Sequence, residues 1–363
     1  MSKKVKLYTI ILVYWVTIVD MVAYFGLSSI RGFVEVAAID VKSLQSPLIT
    51  YWVSPFQIYE STLFGIFFGV LFIAVNELSD RLEVQRLSFG RVILMKSSIY
   101  LSGFIVSLCL VYFIMSQFSF FPKAELEQLR AEKSVFVLLI LAFFFVGFQI
   151  VLINFMLQTV IKFGTNNLFN ILSGKYRTPI VESRVFLFMD LKSSTTYAER
   201  LGSIKYSNMI KDCIDEINRI VDDYHADIYQ YVGDEIVLTW KKDSLSDSSC
   251  LNIYFAFQNN LKKKGSYYQE RYGVVPEFKA GIHGGDVTVA EIGNVKRDIA
   301  YYGDVLNTAS RLQSICNDYG EHMLISRTLL NQLSSNSYEY GNLGKLQLKG
   351  KVEAVDVVSV RER

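Results

Sequence analysis

YQYVGDEIVLTW, Tyr229 to Trp240, decides how the second half of this chain folds. Two short runs of aromatic and β-branched residues flank Gly233-Asp234-Glu235, the pattern of a hairpin. Gly233 gives the backbone room to bend, and Asp234 is pushed out at the sheet edge. Upstream, RVFLFM (Arg184 to Met189) is an apolar run of strand length that stops at Asp190. Carboxylates at the ends of two strands of one sheet can hold divalent cations through oxygen. Aspartates also end strands and cap the next turn or helix, so the choice between these readings rests on the rest of the chain.

Outward from this hairpin the elements alternate. A helix is expected over Thr196 to Asp222, with Ile204, Ile210, Ile214, Ile217 and Val221 on one face. A second helix comes next at Ser248–Lys264, then a strand at Glu277–His283. Gly284-Gly285 is expected to turn the chain into another strand, Val287–Ile292, ahead of a helix at Val305–Tyr319. Helices interleaved with hairpins indicate an α+β layer, one sheet with helices packed on it. His225, His283 and His322 match no ligand spacing, and Lys262-Lys263-Lys264 reads as a solvated helix end. Cys109, Cys213, Cys250 and Cys316 lack metal or redox spacing and read as free thiols in a reducing compartment.

The first half differs in kind. The chain has 363 residues, 51% hydrophobic and 20% charged, enough for two or more domains, with its long apolar runs gathered in this half. A net charge of +2 gives no argument for a nucleic-acid partner. Leu7–Leu27, Phe56–Val75, Ile93–Met115 and Val135–Ile161 are each long enough to cross a bilayer, which takes about 20 residues. Lys3, Lys4 and Lys6, then Arg81, Arg86 and Arg91, then Lys162, Lys175 and Arg177 lie on one side of these spans. The loops on the other side mix Arg31 and Lys42 with Glu35 and Asp40, and Lys123, Arg130 and Lys133 with three glutamates. This bias places both termini in the cytoplasm of a multi-pass inner-membrane protein. Asp20 and Glu60 fall toward the outer side, either as functional groups or hydrated at the interface. Gln149, Asn154 and Gln158 read as glue between helices, and the spans read without a GxxxG pair. The connector FGTNNLFNILSGKYRTP, Phe163 to Pro179, is punctuated by Gly164, Gly174 and Pro179 and reads as a short coupler. The expected division is thus a membrane domain over 1–162, a linker over 163–183 and a globular domain over 184–363.

Five stretches of the globular half, in order, carry a family likeness: FLFMDLKSST (Phe186–Thr195), YVGDE (Tyr231–Glu235), FKAGIHGGDV (Phe278–Val287), GDVLNTASR (Gly303–Arg311) and LKGK (Leu348–Lys351). Together they resemble the catalytic domain of class III nucleotide cyclases. The resemblance implies a ferredoxin-like βαββαβ core C-terminal to the four-helix membrane domain. It implies a lyase that turns a nucleoside triphosphate into a 3′,5′-cyclic nucleotide and pyrophosphate.

In that family two aspartates, here Asp190 and Asp234, bind two divalent cations, Mg2+ or Mn2+, with a backbone carbonyl offered by the residue matching Leu191. The turn through Ser193, Ser194 and Thr195 is similar to the one that wraps the phosphates. Asn307 and Arg311, four apart and so on one helix face, match residues that orient the ribose and stabilise the α-phosphate. Lys349 resembles a lysine on the terminal phosphates and is preferred to Lys351. The family builds its sites across a two-fold dimer, and this chain carries both sets of residues, which implies a homodimer. Gln230 and Ala300 stand where adenylate cyclases usually have Lys and Asp or Thr, and where guanylate cyclases tend to have Glu and a small residue. The expectation is an adenylate cyclase acting on ATP at the bilayer, with a guanylate cyclase as the alternative. An inactive nucleotide-sensing module is the rival from another class, and the intact aspartates and Asn–Arg pair weigh against it.

Overall fold

The computed structural model describes residues 3–36, 56–81, 88–117, 133–163, 170, 173–245, 248–295, 297–333 and 337–363. They fall into two compact units, Met1–Leu168 and Phe169–Arg363. The loop charges within 37–55, 82–87 and 118–132, most of the connector and the side chain of Glu60 lie outside the described residues.

The first unit is built of four long helices: α1 (Lys3–Val36), α2 (Phe56–Arg81), α3 (Phe89–Gln117) and α4 (Lys133–Phe163). Three hold a stretch long and apolar enough to cross a membrane, Leu7–Gly26, Ser61–Ser79 and Ile140–Thr159. Among the described residues α3, expected as a span, does not add a fourth; its described part carries Lys96, Ser97, Ser98 and Ser102. Trp15, Phe68, Phe72, Tyr100 and Ile150 fill the centre of the bundle. The reading without a GxxxG pair is wrong, because Gly65-Ile66-Phe67-Phe68-Gly69 is one. A Cβ on Gly65 would stand 2.6 Å from the Cα of Val16, and one on Gly69 would meet Leu12 at the same distance. α1 and α2 therefore touch backbone to backbone, as small residues allow. Polar contacts join the helices as well. Ser61 and Thr62 donate to Asp20 at 2.6 and 3.1 Å, Lys96 donates to Asn76 at 2.7 Å, and Tyr14 donates to Gln149.

The second unit follows the order β1 (Ile180–Leu191), α5 (Ser194–Ile220), β2 (Asp227–Val232), β3 (Glu235–Lys241), α6 (Ser249–Lys263), α7 (Gly265–Tyr272), β4 (Phe278–Ile292), β5 (Asp298–Tyr302), α8 (Asp304–Ser314), β6 (Met323–Ser326), α9 (Arg327–Leu330), β7 (Tyr338–Leu346) and β8 (Val355–Glu362). One sheet runs β2-β3-β1-β4-β6-β8-β7, with β5 also on β4, and β4–β6 is its parallel pair. Its first four strands, with α5 and α6, form the βαββαβ core that the resemblance implies. Alternation splits the strand side chains into two cores. Val185, Leu187, Met189, Ile236, Leu238 and Ile282 pack against α5, α6 and α7. Phe186, Phe188, Val237, Val287 and Val289 face Val305 and Ala309 of α8.

Three expectations change. Gly284 and Gly285 do not turn the chain; they lie inside the continuous strand β4, opposite Val185 and Arg184. Their role is steric, since added Cβ atoms would meet Leu329 at 3.0 Å and Val305 at 2.9 Å. Ile204 does not share the inner face of α5 but is 82% exposed, because a position six residues before Ile210 lies about 120° round the helix from that face. The last part of the expected linker belongs to the globular unit: Tyr176 is buried with Phe186 and Phe188, and β1 begins at Ile180.

Candidate active site

Met189 pairs with Ile236, so β1 ends beside the β2–β3 turn and brings Asp190 against Asp234. Gly233 takes φ 63 in that turn, a conformation that glycine adopts without cost. Burial raises the pKa of Asp190, and the neighbouring Asp234 carboxylate raises it further; Lys279 and Gln313 pull it back. Lys279 Nζ lies 3.5 Å from Asp190 Oδ2, and Gln313 donates a hydrogen bond to the same oxygen at 3.0 Å. Glu235 is raised as well, by burial first and then by both aspartates. The Tyr206 hydroxyl reaches Asp234 and Ser194, and burial with the adjacent carboxylates pushes its pKa up to about 12.

The serine turn joins the pair. Lys192 N–H donates to the Glu277 carbonyl at 2.8 Å, and Ser193 sits in the left-handed region at φ 60. That turn delivers Ser194 and Thr195 to the first turn of α5, where backbone N–H groups lack helical acceptors and suit an anion. Leu191, the residue matched to the carbonyl ligand, is buried at the end of β1.

Helix α8 has two working faces. Thr308, Ala309, Leu312 and Gln313 are buried toward the sheet, while Asn307 is exposed and Arg311 half-buried on the other side. A Cβ on Gly281 would lie 2.2 Å from the Gln313 backbone nitrogen, so β4 and α8 meet there without a side chain between them. Arg311 lies against the Gly350 backbone, in the loop that carries the two candidate lysines. Lys351 is committed, with Nζ 2.6 Å from Asp304 Oδ2 and a bond to Thr308 at 2.8 Å, whereas Lys349 is exposed. The Lys351 ammonium holds the Asp304 carboxyl below its usual range.

Gln230 and Ala300 are not brought together on one face. A bulge between Ile228 and Gln230 sets Gln230 opposite Val237, on the α8 side of the sheet. Ala300 pairs with Ala290 between Ile299 and Tyr301, both of which pack on that side, so Ala300 faces the other way.

The donor set fits divalent cations. Asp234 Oδ2 is buried without a hydrogen-bond partner, and two carboxylates in contact repel unless a proton or a cation lies between them. Among the described residues no group of three His, Cys, Asp or Glu side chains gathers, so any cation here depends on this pair and on backbone or substrate oxygens. Sequence reasoning misses Tyr206 and Gln313 as partners of the aspartates, and it gives Lys279 no role beyond its place in a matching stretch. Lys279 and Gln313 lie far from Asp190 in sequence and come to it through the packing of β1 with β4 and α8, and Tyr206 comes through the packing of α5 on the sheet.

The family described as adenylate and guanylate cyclase catalytic domain matches residues 180–359. Adenylate cyclase 2 of Rhizobium meliloti (strain 1021) is 34% identical over 210 residues, 57% of this chain and 58% of that protein. Adenylate cyclase 1 of the same organism is 27% identical over 180 residues, 48% of this chain and 27% of that protein. The chain thus spans about a quarter to three-fifths of the length of these relatives. The crystal structure of the adenylyl cyclase CyaB from P. aeruginosa superposes with a TM-score of 0.45 and 21% identity, over 51% of this chain and 97% of that one.

Proposed function

We propose, from the premise that residues 180–359 belong to the adenylate and guanylate cyclase catalytic domain family, that this chain is a membrane-bound adenylate cyclase. It converts ATP to 3′,5′-cyclic AMP and pyrophosphate at sites shared between two copies. The observation that carries this reading is the meeting of Asp190 and Asp234 around a buried, unpartnered Asp234 oxygen. Asp190, Asp234 and the Leu191 carbonyl would hold two divalent cations, Mg2+ or Mn2+. When bound, such ions supply Lewis acidity to the ribose 3′-hydroxyl and balance the triphosphate charge.

The chain's own residues position the rest. Ser193, Ser194 and Thr195 wrap the phosphates at the start of α5, and Lys349 meets the terminal phosphates. Asn307 and Arg311 stand on the outward face of α8, where the site of a second copy can use them. Asn307 orients the ribose there, and Arg311 steadies charge on the α-phosphate as the 3′-oxygen bonds to phosphorus and pyrophosphate departs. Gln230, with an amide that both donates and accepts, reads the base.

The four helices of the first unit anchor the enzyme, with both termini and the catalytic domain at the cytoplasmic face of the inner membrane. The internal pairing of Lys96 with Asn76 supports α3 as the fourth span, because a polar group at membrane depth needs a partner. The test is purified full-length protein incubated with each of the four nucleoside triphosphates and Mn2+, with products read by mass spectrometry. Cyclic AMP from ATP as the main product is expected. Product from GTP alone makes it a guanylate cyclase, and no cyclic product from any of the four overturns the reading.

A further inference from the structure

Gln313 lies 5% exposed on the sheet side of α8, two residues beyond Arg311, and its amide donates to Asp190 Oδ2 at 3.0 Å within the same chain. Lys279 approaches the same oxygen at 3.5 Å as an ion pair, so a cation held by Asp190 would depend on the lone pairs that the Gln313 amide leaves. A carboxylate that must ligate a cation gains from a neutral donor that fixes its rotation and leaves its charge in place, as an amide does. The close seat of α8 on Gly281, which lacks a Cβ in the contact, holds the Gln313 backbone at a fixed height over β4. Asp190 and Lys279 sit opposite one another on β1 and β4, so the amide, the carboxylate and the ammonium belong to one rigid block.

We infer that Gln313 is a positioning residue for Asp190 of its own chain, while Asn307 and Arg311 of the same helix serve the site of the second copy. One helix then sets the metal carboxylate of one site and the Asn–Arg pair of the other. This assignment rests on the homodimer reading and adds to it a residue that acts strictly in cis.

The test uses full-length chains and Gln313→Met, which keeps side-chain length and lacks the amide donor. Mn2+ binding, followed by the loss of the free-ion electron paramagnetic resonance signal, should weaken about tenfold in Gln313→Met. Asn307→Ala should bind Mn2+ as the wild type does. A second arm co-expresses Asp190→Ala with Arg311→Ala, a pair in which one composite site is intact. Gln313→Met placed on the Arg311→Ala chain, which supplies Asp190 to that site, should cut its rate at limiting Mn2+ and recover as Mn2+ is raised. The same substitution on the Asp190→Ala chain, which supplies only Asn307 and Arg311, should change the rate less than twofold. Equal loss from both placements would show a structural effect on α8 and overturn the assignment, as would unchanged Mn2+ binding in Gln313→Met. Failure of the mixed pair to work before Gln313 is touched would fall on the dimer reading, and the Mn2+ measurement would then decide Gln313 by itself.

Discussion

Tyr229 and Tyr301 meet edge to face, with ring centroids 4.9 Å apart and planes at 85°. Both lean on Phe186, at 6.2 and 5.4 Å, and the Arg184 guanidinium lies 4.8 Å over the Tyr301 ring. The two rings come from strands on opposite flanks of β1 and close over it. They are the immediate neighbours of Gln230 and Ala300, and they show how those two positions differ: Gln230 shares their face of the sheet, and Ala300 does not.

Base selection should therefore follow Gln230 alone. Gln230→Glu should move the ATP-to-GTP ratio of kcat/KM toward GTP by about tenfold, since a carboxylate accepts and cannot donate. Gln230→Lys should move it toward ATP. Adding Ala300→Asp should leave either ratio within about twofold, and a further sharp rise in ATP preference on that addition would place Ala300 in the base pocket after all.

On the proposed two-cation reading, Asp190→Ala or Asp234→Ala should abolish cyclisation, since such an arrangement contributes on the order of several kcal/mol to a transition state. On the proposed homodimer reading, co-expression of Asp190→Ala with Arg311→Ala should regain activity, because a mixed dimer would hold one intact composite site. Activity within a few-fold of wild type in either aspartate variant would remove the metal assignment.

The two lysines of the Gly350 loop should separate cleanly. Lys349→Ala should raise KM for the triphosphate and leave thermal stability alone, the residue being exposed. Lys351→Ala breaks the contacts to Asp304 and Thr308 and should cost about 1 kcal/mol of stability, a modest sum because the Asp304 side chain is 61% exposed. Steady-state kinetics with thermal melts of both variants will show whether the loss sorts this way.

His283 should make the catalytic unit sensitive to acid. Its Nδ1 lies 2.7 Å from Ser326 Oγ, and burial, with the Lys351 ammonium in second place, lowers its pKa to about 4. Between that value and its ordinary 6.5 the unfolded chain binds the extra proton, so stability rises with pH across the window and is lost as pH falls through it. The full effect is at most ~3 kcal/mol. His283→Gln should flatten the urea midpoint between pH 6.5 and 4, and a wild-type slope of the opposite sign would contradict the burial.

Gly281→Ala should harm the enzyme more than its size suggests. The new methyl meets the backbone of Gln313 at 2.2 Å and of Ala309 at 2.3 Å, and backbone cannot swing aside as a side-chain tip can. A loss of about 3 kcal/mol or displacement of α8 is expected, with activity falling through Asn307 and Arg311. Gly273→Ala, where nothing lies within 4 Å but φ is 70, should cost only the backbone strain, about 1 kcal/mol, and leave kcat unchanged. Melting temperature and kcat measured on the two variants distinguish clash from strain.

The sequence alone determined the features that local chemistry dictates. The apolar runs gave the long helices, the Gly233-Asp234 turn gave the hairpin, and strand ends placed Asp190 and Asp234. Helical spacing put Asn307 and Arg311 on one side of α8. These come from periodicity and turn preference, which act within a few residues. The tertiary structure decided which distant groups meet. Gln313 reaches Asp190 from 123 residues away, Lys351 and not Lys349 closes on Asp304, and Lys96 is buried against Asn76 inside a bundle. It also reversed the meaning of Gly284-Gly285, which reads as a turn and is a flat stretch of strand made thin for Leu329 and Val305. A glycine needed for its conformation and a glycine needed for its missing Cβ are the same letter in a sequence. Only the neighbour packed against it tells them apart.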